Sequence, residues 1–377
     1  MNVLIIYPFY NQRELMHNFA SRLTEKGVHT DVINISQYRF EKFSEVKWPK
    51  SFLKLVNFAN NSKWSFGVKF LKRLLSNVYL QKLFPLYDVI DFHAYYPSYN
   101  KWMKSCIDNN VKFDITLWGS DLMRATEERK QQLRFGFDHC YKIKLTGNLH
   151  DVLKEYYGAI YDAKCRLVYF GNSGLDDIES LDYQKVDEGK KKLYGDTGNK
   201  KIVVCGYNSI PSQNHMKMVE ALSKLSPEER NAVHAVFPMT YGARPGYIDD
   251  VRSELDKKGV SYTILDHFLD PAEVAVIRKT ADIVINVQDT DALSGSLQSH
   301  LYCGNVCIFG EWLNYSPFIN NGVYYIKTSM DGIAEHLKDV LRDFSKYKTL
   351  SAGNHDIIGR LFTWEATIGK QTAVYGE

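Results

Sequence analysis

Short, nearly continuous apolar runs alternate along this chain with longer amphipathic stretches. Residues 3–7 open the series, and 30–35, 89–93, 113–118, 142–145 and 166–170 continue it. Runs that are apolar at successive positions, rather than at every second one, predict strands covered on both faces, as in a parallel sheet. The intervening stretches read as helices, including a long one between the second and third runs. The pattern breaks over residues 182–200, which are polar, charged and glycine-punctuated, as in a helix followed by a linker. It then restarts, with strands at 201–205, 232–238, 262–264 and 283–287, a final one at 323–326, and helices at 214–225, 248–258 and 271–280. The expectation is an α/β protein with two Rossmann-like parallel-sheet domains facing a cleft, one over residues 1–190 and one over 191–360. Ligands of such folds bind at the carboxyl ends of the strands.

Length and composition narrow the function classes. At 377 residues the chain exceeds what one hydrophobic core usually organises. A net charge of +3 does not by itself call for nucleic acid. None of the six cysteines forms a CxxC pair, so reduced thiols in a cytoplasmic protein are the simplest reading. The first residues lack the basic start of a signal peptide, and no apolar run approaches the roughly 20 residues of a spanning helix. Residues 39–82 stand out, with ten Lys or Arg against Glu41 and Glu45, and nine Phe, Trp or Tyr among them. Such a stretch suits either an anionic membrane surface or a pair of helices whose aromatic faces pack on the sheet.

Candidate chemistry gathers where strands end. Residues 281–315 read as a buried strand, a polar loop, a helix opening, a small-residue turn and a second buried strand. Ser294, Gly295 and Ser296 put small residues at the helix opening, where free backbone N–H groups attract anions such as a diphosphate. Asp289-Thr290-Asp291 is a DxD, a pattern that holds a divalent cation in some transferases. Its place just before a helix favours capping and sugar contact, so no metal is expected. Tyr207 and Asn208 follow the strand 201–205, with Ser212 or Asn214 as caps and His215 in the next helix. Tyr241 and Arg244 leave the strand 232–238, as an anion lip or as a surface turn. His93 ends the strand 89–93, and Asp121 follows Trp118-Gly119-Ser120. Either could touch an acceptor, with Asp121 as a base, or serve the fold.

With these pieces in order the chain resembles glycosyltransferases of the GT-B type. The pattern is that of the large retaining family of bacterial polysaccharide transferases. A finer likeness is to the TDP-4-acetamido-4,6-dideoxygalactose transferases of enterobacterial common antigen, through Gly206-Tyr207-Asn208 to His215 and Pro238 to Tyr241. The resemblance implies a helix over 361–377 that crosses back to the first domain, since Phe362-Thr363-Trp364 matches the family's aromatic ending. It implies a metal-independent, retaining hexosyltransferase with no cofactor, using a nucleoside diphosphate sugar and a glycan or lipid-linked acceptor at the inner membrane face. Asp291 falls where the family has a sugar-binding acid, and Ser299 where it has a ribose-binding one, with Gln298 or His300 as a substitute. The backbone around His267, Phe268 and Leu269 would meet the base. A sugar-nucleotide 2-epimerase and a non-catalytic nucleotide-sugar-binding paralogue share the layout.

Overall fold

The computed structural model describes residues 1–9, 13–36, 39–52, 54 and 80–377. The chain folds as two compact units, residues 1–171 with 365–377, and residues 172–364.

The first unit is built on a seven-stranded sheet. Its strands are β1 (Asn2–Tyr7), β2 (His29–Asn34), β3 (Arg39–Lys42), β4 (Val89–His93), β5 (Lys112–Thr116), β6 (Lys142–Leu145) and β7 (Cys165–Leu167). The order is β3-β2-β1-β4-β5-β6-β7, parallel throughout except for the antiparallel edge pair β2–β3. Val3, Leu4, Ile5 and Ile6 are wholly buried, as residues of a two-sided parallel strand must be. The final helix, Trp364–Gly376, has all but its first residue in this unit.

That helix lies over charges inside the sheet. Asp91 of β4 accepts from the Lys144 ammonium, the Tyr375 hydroxyl and the Thr116 hydroxyl, and pairs with His93 at 3.0 Å. Lys142 donates to the Val374 carbonyl, and the Gln371 amide to the Tyr169 carbonyl. Burial pushes the Asp91 carboxyl up, but Lys144 and His93 more than offset it and hold it well below the carboxylate range.

The second unit carries a fully parallel six-stranded sheet. Its strands are β8 (Lys201–Cys205), β9 (Val233–Pro238), β10 (Tyr262–Leu265), β11 (Ile283–Asn286), β12 (Val306–Gly310) and β13 (Ile326–Thr328). The order β10-β9-β8-β11-β12-β13 is the Rossmann order, with its switch point between β8 and β11. Helix Pro271–Thr280 starts on a capping box in which Asp270 and Glu273 exchange hydrogen bonds, with Pro at its first turn.

Two strand expectations need correction. Strand β3 replaces the helical reading of residues 39–42. Its Phe40 ring meets Trp48 and Phe52 at centroid distances of 6.1 and 5.2 Å. The last strand begins at Ile326, not at residue 323, because Asn354 occupies the preceding backbone. Its side chain accepts from Tyr324 N–H at 2.7 Å and donates to Tyr324 C=O at 2.8 Å, taking the bonds a neighbouring strand would make. Of the basic aromatic stretch 39–82, residues 53 and 55–79 lie outside the described residues, and the membrane-surface reading with them. No helix among the described residues is long and apolar enough to cross a membrane.

Candidate active site

The switch point of the second sheet organises a polar cluster. Gly206 leaves β8 at φ +69°, where a side chain is strained and a Cβ would stand 3.0 Å from the Gln213 Oε1. The chain can therefore turn sharply and bring Tyr207 over the strand ends. Asn214, expected as a helix cap, makes no capping bond. It sits at φ 63° and donates to the Val287 carbonyl at 2.8 Å and the Asp289 carboxylate at 2.9 Å. The Asp289 N–H donates to the Ser212 carbonyl at 2.9 Å. These bonds stitch the loop after β8 to the loop after β11.

At the centre stands Asp291, only 6% exposed. Its carboxylate accepts from the Ser294 N–H at 3.1 Å, the Tyr315 hydroxyl at 2.9 Å and, more weakly, the Tyr207 hydroxyl at 3.4 Å. Tyr207 also donates to Gln288 Oε1 at 3.0 Å, and the Gln213 amide donates to the same oxygen at 2.6 Å. The Asn286 amide donates to the Tyr315 hydroxyl at 3.1 Å. Burial raises the Asp291 pKa, while the Ser294 N–H and the Tyr315 hydroxyl pull it back.

Helix Gly295–Tyr302 starts beside this carboxylate. Gly295 is exposed, so the positive end of the helix dipole is open to solvent. The Ser296 hydroxyl is buried and has no hydrogen-bond partner among the described residues. Leu293 enters the helix at φ 62°, an uncommon conformation for a non-glycine residue, which costs on the order of 1–3 kcal/mol. Gln298 holds that turn by donating to the Leu293 carbonyl at 2.8 Å. Asn172 then covers the next turn, donating to Gly295 O at 2.9 Å and to Gln298 Oε1 and Ser299 Oγ at 3.2 Å each. Gln298 and Ser299 are thus buried and turned toward Asn172.

The other expected donor residues take different settings. Asn208 is buried and its side chain accepts from the Ile210 N–H at 2.9 Å, closing the turn after β8. His215 is wholly buried, 3.2 Å from the Tyr247 hydroxyl, and burial lowers its pKa to about 4. Tyr241 is exposed, while its carbonyl accepts from the Ser209 N–H and hydroxyl. Arg244 is exposed and pairs loosely with Asp250 at 3.8 Å. In the loop after β10, His267 is exposed, Phe268 is 79% exposed and Leu269 is buried. Gln288, Tyr315 and Gln213 escape the sequence reading. Gln288 shares the loop of Asp291, whereas strand order brings Tyr315 to Asp291 and Gln213 to Gln288.

In the first unit His93 and Asp121 both lie at strand exits, and both are wholly buried. His93 is bonded at 3.0 Å to Asp91 through Nε2, and its Nδ1 accepts from the Trp118 indole at 3.3 Å. Burial lowers its pKa against the pull of Asp91. Asp121 accepts from the N–H groups of Gly119, Tyr95 and Trp118 at 2.8, 3.0 and 3.1 Å, tying two strand-exit loops together. Burial pushes its carboxyl up to about 6, partly countered by those N–H groups. No three His, Cys, Asp or Glu side chains converge as metal ligands among the described residues.

Two Rossmann-like units, the second in strand order 3-2-1-4-5-6, with the closing helix belonging to the first, match the GT-B architecture. Solved structures agree over the whole chain. HepE of Anabaena, in complex with UDP and glucose, is similar at TM-score 0.73 and 12% identity, over 100% of this chain and 99% of that one. A glycosyltransferase from Rickettsia africae is similar at TM-score 0.73 and 14% identity, over 99% and 97%. WaaG, a glycosyltransferase involved in lipopolysaccharide biosynthesis, is similar at TM-score 0.63 and 13% identity, over 99% of each chain. At these identities the likeness is one of fold. No family model matches the chain, and no curated protein sequence matches it.

Proposed function

We propose that this chain is a glycosyltransferase that moves a sugar from a nucleoside diphosphate sugar to a hydroxyl of a lipid-linked bacterial glycan. One observation carries the reading: Tyr207 from the loop after β8 and Asp291 from the loop after β11 meet across the switch point, beside an open helix start. A switch point is where open α/β sheets take ligands, and a helix start favours a diphosphate. The UDP and glucose bound by HepE are consistent with that choice.

In this reading the N–H groups of Gly295 and Ser296 and the Ser296 hydroxyl receive the diphosphate charge as the sugar leaves. Asp291 accepts hydrogen bonds from the sugar hydroxyls, oriented by Tyr207 and Tyr315. Phe268 lies at the base end, with His267 and Leu269, and Tyr241 and Arg244 border the donor. The acceptor enters at the strand exits of the first unit, near His93 and Asp121. Transfer is metal-independent and retaining, because backbone dipoles take the leaving group's charge and the resemblance is to a retaining family.

The test is a transfer assay across nucleotide sugars, read with and without acceptor. The wild type should release nucleoside diphosphate in an acceptor-dependent manner, and Asp291→Ala should lose at least a hundredfold in turnover while keeping its folding transition. Conversion of the donor without acceptor would point instead to a sugar-nucleotide epimerase. Near-normal turnover of Asp291→Ala would remove that residue from the chemistry.

A further inference from the structure

A cavity of about 420 Å³ opens in the second unit at the far end of helix Gly295–Tyr302 from Ser294 and Ser296. Eight residues of helix separate the two ends by roughly 12 Å. Its lining includes Glu179, Lys279, Tyr302, Cys303, Lys348 and His355, drawn from helices and the turn after Tyr302.

Two lysines of the lining are only partly engaged by the protein. Lys279 donates to the Leu181 carbonyl and Lys348 to the Gly304 carbonyl, each at 2.7 Å. An ammonium has three N–H donors, so both retain donors to give. Neither lysine forms an ion pair among the described residues. Behind Cys303 lies Arg278, 7% exposed, which bonds the neutral ring of His300 at 2.6 Å and leaves its Nε without a partner among the described residues. Ser351, from the helix that carries Lys348, is wholly buried and its hydroxyl also lacks a partner among the described residues.

The field converges on the cavity wall. Burial pushes the Cys303 thiol up to about 11, while Arg278, Lys279 and Lys348 all act to lower it and Glu179 to raise it. In the lining itself two ammonium groups stand beside the Glu179 carboxylate, while Asp282 acts on Lys348 and Asp176 on Tyr302 from close by. The negative end of the adjoining helix is masked, since His355 bonds the Tyr302 carbonyl at 3.0 Å and Lys348 the Gly304 carbonyl. The His355 ring lies on Tyr302 with centroids 4.1 Å apart at 30°, and presents an exposed flat face.

We propose that this cavity binds a small phosphomonoester, its phosphate on Lys279 and Lys348 and its body against the His355 ring. A phosphomonoester brings close to two negative charges and three acceptor oxygens at neutral pH, which suit two ammonium groups that retain donors. The volume falls in the range of small-molecule sites and exceeds what a phosphate alone would fill.

The probes are phenyl phosphate and inorganic phosphate, titrated calorimetrically into the full chain in the presence of saturating UDP, which occupies any nucleotide site. Phenyl phosphate should bind saturably and more tightly than inorganic phosphate. The double variant Lys279→Gln with Lys348→Gln should weaken it at least tenfold, with UDP affinity unchanged. A second readout uses the wild type alone: phenyl phosphate should slow alkylation of Cys303, followed by peptide mass spectrometry, at least threefold. Equal affinity in the double variant, or unprotected Cys303 at saturating phenyl phosphate, would overturn the proposal.

Discussion

Replacing Tyr315 with Phe probes the support beneath Asp291. The change removes one hydroxyl from a residue that is wholly buried, with no alteration of ring packing. Two bonds go with it: the donor to Asp291 at 2.9 Å and the acceptor for the Asn286 amide at 3.1 Å. A bond to a charged partner is worth about 1.5–3 kcal/mol, and a buried amide left unpaired costs about 1–3 kcal/mol. A net loss of about 3 kcal/mol is expected, which lowers the melting temperature of a unit of this size by roughly 6–12 °C. Calorimetry of the full chain measures it. Asp291 also loses a hydroxyl that steadies its ionised form, so its pKa rises further and the acidic limb of the turnover profile moves to higher pH. Turnover should fall about 10–100-fold, the equivalent of about 1.4–2.7 kcal/mol of misplaced orientation. UDP affinity should stay within about threefold, because Tyr315 bonds Asp291 and not the helix start. Unchanged turnover, or equal losses in turnover and UDP affinity, would refute the proposed division between Asp291 and the diphosphate end.

Three further outcomes test other parts of the structure. The folded Asp121 carboxyl is pushed up to about 6 from an ordinary 3.8, so the native state holds a proton that the unfolded chain has released in that window. Its contribution to stability is therefore lost as pH rises from about 4 to about 6, by about 3 kcal/mol, and Asp121→Asn should flatten that slope in denaturant titrations. Tyr375→Phe should lower the stability of the first unit by about 1–3 kcal/mol, because it removes the hydroxyl that joins the closing helix to Asp91. Increased proteolysis at residues 365–377 would report the same loosening. In Gly136→Ala the new methyl would stand 2.4 Å from the Tyr95 ring, so overpacking should cost about 1–3 kcal/mol, visible as a lowered melting temperature.

Much of the architecture is legible in the sequence because parallel strands are apolar on both faces. Runs such as 3–7 and 201–205 announce themselves without any knowledge of their neighbours. Strand β3 does not, since a four-residue edge strand reading RFEK carries no such run. The last strand is misplaced for a related reason: residues 323–325 have strand-like side chains, but the bonds that end a strand come from Asn354, some thirty residues away. Within the switch-point cluster, the residue types at 207, 291 and 294–296 are readable as strand exits and a helix start. Their mutual contact is not, because it depends on β8 lying beside β11. The same holds for His93. Its place at a strand end is visible, whereas the carboxylate and indole that enclose it arrive through sheet register and loop geometry.

The helix start beside Asp291 is most directly examined by hydrogen–deuterium exchange on the full chain, following peptides that cover residues 289–302 with and without saturating UDP or UDP-glucose. Bound diphosphate should engage the N–H groups of Gly295 and Ser296 and slow their exchange at least tenfold, with UDP-glucose also protecting the loop that carries Asp291. Saturable nucleotide binding that leaves these amides exchanging freely would contradict a diphosphate site at this helix.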